Sequence, residues 1–257
     1  MEFTDTRHVL AAILTIGNEV VSGDTENTNA SWLGRRLEQL GVKVAISAAI
    51  PDELDRIVAF VRREGPAVDH LVVTGGLGGT PDDITREAIA AAFGVPQVPF
   101  PEVEADLRAR FTGNPDYVAP WAALPEGSQP LENPLGGAPG FRIGNTWVLP
   151  GLPSEMKAMF DRYADELRAE APIGSWRRRL QTRESTITPL LSEATERWPE
   201  VLVGSYPHFT DEGPEVEVVL KSSDTSALDE ASRWLGGALD TLGRECPSPA
   251  PRPTSPT

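Results

Sequence analysis

LVVTGGLGGTPDDITRE, residues 71 to 87, sets the terms for the rest of the chain. The apolar run Leu71, Val72 and Val73 has the character of a buried strand. It breaks after Thr74 into a glycine-rich loop, Gly75, Gly76, Gly78 and Gly79. A helix start is expected next, with Thr80 as N-cap, Pro81 in the first helical position and Asp83 three residues after the cap. Strand, glycine loop and helix N-terminus together let the backbone approach a phosphate closely. Two carboxylates, Asp82 and Asp83, stand at that mouth. Bare, they repel an anion, so a phosphorylated ligand there calls for a cation between. The combination points to phosphoanhydride chemistry on a nucleotide or pterin phosphate rather than to simple dinucleotide docking.

On either side of this stretch, strand and helix signals alternate. Val9 to Ile16 reads as a first strand, left through a tight turn at Gly17, Asn18 and Glu19. Thr28 to Leu40 reads as a helix with Trp32, Leu33, Leu37 and Leu40 on one face and Gly41 as its stop. Val42 to Ile50 reads as a second strand, and Pro51 and Asp52 begin another helix with Leu54, Ile57, Val58 and Val61 inward. Such alternation predicts an α/β domain, a mostly parallel sheet with helices on both faces. Ligands of such sheets sit at the carboxyl ends of the strands. Here those ends carry residues 17–19, 51–52 and 75–83.

Further on, Pro99 to Phe111 reads as a helix and residues 112–140 as a long Pro/Gly-rich loop, either a passive connector or a loop pressed against a ligand. Residues 141–143 and 146–149 flank a hairpin turn at Gly144 and Asn145, and a helix is expected from about Ser154 to Ala169. A boundary falls near residues 171–176. The predicted domains are 1–172, then a small α+β module over 173–245 whose strand-helix order is KH-like, then a disordered Pro/Ser-rich tail over 246–257.

The 257 residues carry a formal net charge of -15, which disfavours nucleic acid and anionic membranes as partners. The single cysteine, Cys246, permits no intrachain disulfide, and His8, His70 and His208 show no zinc-type spacing. The apolar stretch Val9 to Ile16 is too short to span a bilayer. A cytoplasmic protein without membrane attachment is expected.

Three segments resemble the MoaB/Mog-like molybdopterin-binding family, and most of all the amino-terminal domain of CinA-type (competence/damage-inducible) proteins. They are Ile16 to Gly23 with Asn27, Thr28 and Asn29; Gly75 to Thr85; and Asn133 with Gly136 to Gly140, followed by Leu149 to Met156. The resemblance extends into the small module through Gly204 to Pro207. Asn18 stands where many relatives have Thr or Asp, and Gly79 where a proline is frequent. Longer CinA proteins continue into an amidase domain acting on nicotinamide mononucleotide, and no amidase activity is expected of this chain. The resemblance implies a three-layer α/β/α fold and a homo-oligomer. It implies chemistry at a phosphoanhydride: either hydrolysis of a nucleotide diphosphate such as ADP-ribose or FAD, or molybdopterin binding and adenylyl transfer. A non-catalytic binding module is the third possibility. A divalent cation, Mg, Mn or Co, serves either chemistry.

The expected site follows. Asp83 matches the family's acidic residue after the glycine loop, as metal ligand or orienting carboxylate; it also suits a capping box serving Thr80. Asp52 matches a second acidic position and is either catalytic or a helix cap. Asp82 and Glu19 are further metal ligands, or a helix-dipole charge and a solvated turn residue. Gly75, Gly76 and Gly78 offer backbone donors to phosphate or simply make the turn. Gly17, Ser22, Asn29, Thr74 and Thr80 complete the ligand-binding set. Glu155 is equally a first-turn dipole charge, and Arg177, Arg178 and Arg179 are a phosphate grip or a solvated strand edge.

Overall fold

A computed structural model describes residues 9–113, 115–169, 172–211 and 213–245. The chain divides into two units, 1–170 and 171–257. The predicted tail and Cys246 lie outside the described residues. Among the described residues no helix is long and apolar enough to cross a membrane.

In the first unit, strands β1 (Leu10–Ile16), β2 (Lys43–Ile50) and β3 (His70–Thr74) alternate with helices α1 (Asn18–Ser22), α2 (Thr28–Gln39) and α3 (Leu54–Glu64). Then come α4 (Thr85–Phe93), β4 (Gln97–Pro99), α5 (Pro101–Arg110), α6 (Pro115–Val118), β5 (Ala123–Pro125) and β6 (Gln129–Leu131). A hairpin of β7 (Gly140–Ile143) and β8 (Thr146–Leu149) leads to α7 (Pro153–Tyr163). The six-stranded sheet runs β2-β1-β3-β8-β7-β6. β2, β1, β3 and β8 are mutually parallel, and β7 and β6 are antiparallel to their neighbours.

β1 and β3 are buried on both faces because their side chains alternate between two cores. Ala12, Leu14, Ile16, Leu71 and Val73 pack with Ile57 and Phe60 of α3 and Ile89 of α4. Ala11, Ile13 and Val72 point the other way, onto Leu33 and Leu37 of α2 and Met156 and Phe160 of α7. The result is the expected three layers. From β1 the chain goes to β2 on one side and reaches β3 on the other. Their carboxyl ends therefore open at a topological switch point, where such sheets take ligands.

Three expectations are corrected. The turn after β1 is not bare: residues 18–22 form α1, capped by left-handed Gly23. The helix after the glycine loop begins at Thr85, not at Thr80, because Thr80 to Ile84 form a separate turn with the Asp83 amide on the Thr80 carbonyl (3.0 Å). Residues 112–140 are not one long loop. They contain α6, a 3-10 turn over Ala119–Ala122, and the short strands β5 and β6.

The second unit has β9 (Gly174–Leu180), α8 (Glu184–Arg197), β10 (Leu202–Thr210), β11 (Gly213–Ser222) and α9 (Thr225–Glu245), with an antiparallel sheet ordered β10-β11-β9. Val216, Val218 and Leu220 meet Ile187 of α8 and Leu228, Ala231 and Leu235 of α9 in a core of its own.

Candidate functional site

The carboxyl ends of the parallel strands are tied together before any ligand is considered. The Gly17 amide donates to Ile50 O (3.1 Å), and the Gly75 amide to Leu149 O (3.2 Å). Thr74, fully buried, donates its hydroxyl to Pro150 O (2.8 Å). Asn29, 7% exposed on α2, donates Nδ2 to Gly151 O (2.8 Å) and to Thr74 Oγ1 (3.2 Å). The Gly151 carbonyl only accepts, which fixes the amide's orientation. Asn29 Oδ1 is then a buried acceptor with no partner among the described residues. Gly75 has a φ of +108°, and a Cβ there would strike the Ile16 carbonyl. Only glycine lets β3 turn this close to β1.

These ends floor a cleft of about 420 Å³, an ordinary size for a small-ligand site. Gly17, Glu19, Asn29, Asp52, Thr74, Gly75, Gly76, Gly78, Asp82 and Asp83 all line it, so the structure gathers most of the predicted residues in one place. Ser22 and Thr80 are not in its lining. Ser22 is spent on Glu19 O and Asp24 (3.2 and 2.7 Å). The Thr80 hydroxyl donates to Asp83 Oδ2 (2.6 Å). Both hydroxyls are thus engaged within their own turns.

The acidic residues divide into two kinds. Asp83 is engaged by the loop: Oδ1 accepts from the Gly78 amide (2.8 Å), and Oδ2 from the Thr80 amide (2.8 Å) and hydroxyl. That carboxylate shapes the loop while also lining the cleft. The Gly75 and Gly78 amides are likewise consumed within the fold and are not donors to a phosphate.

Asp52 is different. It accepts from the Asn18 amide at Oδ2 (2.9 Å), while its own amide donates to Asn18 Oδ1 (3.4 Å), clasping the turns after β1 and β2. It does not cap α3, whose cap residue is Glu53. Desolvation, then repulsion from Asp82 and Glu19, pushes the Asp52 carboxyl above the usual carboxylate range against the Asn18 bond. Asp82 is exposed, and local hydrogen bonding within the turn holds its carboxyl below that range. Asp52 thus feels two further carboxylates at the mouth.

Glu155, in the first turn of α7, receives Asn133 Nδ2 at Oε2 (2.9 Å), and Asn133 also holds Ala138 O (3.1 Å). The distal segment therefore folds into the cleft wall, with Gly137 and Ala138 lining it. In all, Glu19, Glu26, Asp52, Asp82, Asp83 and Glu155 line the cleft, and among the described residues no Lys, Arg or His does. In the second unit, Arg177 and Arg179 face Glu217 (3.6 and 3.3 Å), and Arg178 pairs with Asp240 and Gly236 O. They form a paired strand surface and not a phosphate grip.

Sequence reasoning missed Arg86. It is 6% exposed and donates Nη2 to Leu77 O (2.5 Å) and Nη1 to Gly78 O (3.4 Å). The available signal was its place three residues before Ile89, on the buried face of α4. Trp121 was missed as well. It lines the cleft with a buried indole N–H that has no partner among the described residues.

A three-layer sheet with a glycine loop and an acidic cleft at its switch point is the architecture of a small-ligand domain of the Mog type. The family model described as a probable molybdopterin binding domain matches residues 12–169, and the chain belongs to that family. A second model, described as the middle domain of FAD synthase, matches residues 177–243. A protein of Aeropyrum pernix is 35% identical over 250 residues, covering 92% of this chain and 93% of that one. A CinA-like protein of Thermomicrobium roseum is 34% identical over 245 residues, 89% of this chain and 60% of the relative. The crystal structure of CinA from Thermoplasma acidophilum, a protein described as of unknown function, superposes with a TM-score of 0.59 at 32% identity. That match covers 62% of this chain and 99% of the other.

Proposed function

We propose that the cleft binds a nucleotide diphosphate as its divalent-cation complex and hydrolyses the phosphoanhydride. The observation that carries the reading is the lining itself: six carboxylates beside a glycine loop, with no basic side chain among the described residues. A diphosphate cannot enter such a field unless its charge is already offset. The donor set fits a hard cation, which prefers carboxylate oxygen. Among the described residues no three His, Cys, Asp or Glu side chains converge to hold one unaided. Mg²⁺ is commonly held by one or two carboxylates plus the phosphates of its substrate. Asp82 and Glu19 are the residues that would share it, with Asp52 beside them.

When bound, the cation neutralises charge on both phosphates and polarises phosphorus. The chain supplies the rest. A water oxygen bonds to one phosphorus, the bond from that phosphorus to the bridging oxygen breaks, and the second phosphate leaves with that oxygen. The water proton passes to Asp52, the carboxylate of the rim that is not spent on the cation. The products are AMP and a second phosphomonoester. The match of the second unit to an FAD synthase middle-domain model supports dinucleotides as the class, with ADP-ribose and FAD as the substrates to try.

A second reading, adenylyl transfer to molybdopterin, is supported by the description of the family matched at residues 12–169. Incubation with ADP-ribose, FAD or ATP and Mg²⁺, Mn²⁺ or Co²⁺ separates the two. AMP released from ADP-ribose or FAD without pterin is the expected result. AMP transfer that requires pterin favours the second reading, and tight binding without product rules out both in favour of a binding module.

A further inference from the structure

We propose that Arg86, with Thr85 beside it, is the positioning residue that turns the amides of the glycine loop toward the bound phosphates; this rests on the diphosphate reading above.

The argument is one of peptide geometry. In a trans peptide unit the C=O and N–H point in opposite directions. Four consecutive carbonyls of the loop are collected by two residues at the start of α4. Gly75 O accepts from Thr85 Oγ1 (2.9 Å) and Gly76 O from the Thr85 amide (3.2 Å). Leu77 O and Gly78 O accept from the two Nη atoms of Arg86 (2.5 and 3.4 Å). The amides of the same four peptide units, at Gly76, Leu77, Gly78 and Gly79, are therefore turned away from Thr85 and Arg86. Asp83 takes the Gly78 amide. The other three enter no hydrogen bond among the described residues, and Gly76 and Leu77 line the cleft. Successive amides presented in this way form an anion-binding concavity.

The Arg86 guanidinium, 6% exposed with Nε unpartnered, is expensive to bury, and it is held by two loop carbonyls and by the nearby charge of Asp83, which shapes the same loop. Desolvation pulls the guanidinium down to about 10, so it is still charged at neutral pH. Only a planar fork reaches two adjacent carbonyls at once; an ammonium lacks that geometry. Thr85 is as constrained, since a Cβ on Gly76 would strike its hydroxyl.

The test uses the full chain labelled with ¹⁵N, with inorganic pyrophosphate and Mg²⁺ as probe. The wild-type amide signals of Gly76 and Leu77 are expected to move most on saturation. In Arg86→Lys the same signals are displaced before probe is added, and pyrophosphate binds about tenfold more weakly, the loss of roughly one hydrogen bond to a charged group. Thr85→Val keeps the branched shape, releases only the Gly75 carbonyl, and weakens binding in the same direction. It carries the test if Arg86→Lys does not fold. Wild-type affinity in both variants, or no movement of the Gly76 and Leu77 amides in the wild type, overturns the proposal. Pyrophosphate binding that depends on Arg86 without AMP release from any dinucleotide leaves it standing and removes the hydrolase reading. AMP release with unchanged KM and kcat in both variants does the reverse.

Discussion

The turn after β3 and the paired turns after β1 and β2 bring carboxylates to the same cleft and use them in opposite ways. Asp83 accepts from two backbone amides and a hydroxyl, and its charge is absorbed by the loop it shapes. Asp52 receives one amide from the neighbouring turn and faces Asp82 and Glu19, which repel it. A carboxylate satisfied by backbone donors is part of the scaffold. One held against its own electrostatics is where a cation or a proton would relieve the strain. The same contrast separates the cleft from the sheet of the second unit, where Glu217 lies between Arg177 and Arg179 and is already neutralised.

The largest expected effect tests that distinction at Asp52. Asp52→Asn keeps an acceptor for the Asn18 amide but removes the charge and the basic site. AMP release from ADP-ribose or FAD should fall by about a hundredfold or more, with the fold intact by circular dichroism. Turnover within a few-fold of wild type would remove Asp52 from the chemistry and erase the contrast.

The next effect falls on stability. Asp83→Ala strips the acceptors from Gly78 and Thr80 together, so urea unfolding should show a loss of about 2 kcal/mol. Binding of Mg²⁺-pyrophosphate should weaken as well, because the loop loses the bonds that hold its peptides. If Asp83→Ala unfolds like wild type yet cannot bind Mn²⁺ with pyrophosphate, Asp83 is a ligand after all.

How much of this was legible in the sequence differs by region, for physical reasons. The alternation around residues 10–16, 43–50 and 70–74 was readable because each strand is an apolar run and each helix repeats its apolar face. β5 and β6, three residues each, are too short to show any period and disappeared into an apparent loop. At residues 80–83 the local rules for a helix start were met, yet the helix waits until Thr85. Asp83 folds back on Gly78 as well as Thr80, an alternative that side-chain-to-backbone bonding always offers such residues. The gathering of Glu19, Asp52 and Asp82 was legible because strand ends of a parallel sheet share one rim. Arg86 was not, because a charge on a helix is read as solvated unless something shows that its face is buried.

The smallest effect is a pH dependence, and it sharpens the comparison most. Asp52 titrates above its ordinary value of 3.8 in the folded chain. The folded state therefore holds that proton more firmly than the unfolded state does. The stability this contributes is complete below 3.8 and is lost as the pH rises through the folded value. Above that window the wild type carries the repulsion and Asp52→Asn does not, so the variant should unfold at higher urea near neutral pH. The advantage should shrink as the pH falls toward 3.8. Asp83→Asn replaces one acceptor oxygen with an amide donor in front of the Gly78 amide or the Thr80 donors, so that variant should unfold at lower urea than the wild type. A divalent cation with pyrophosphate should close the gap at neutral pH by stabilising only the wild type, since a cation beside Asp52 rewards the charged form. A gap indifferent to both pH and cation would mean that Asp52 is as settled in its surroundings as Asp83.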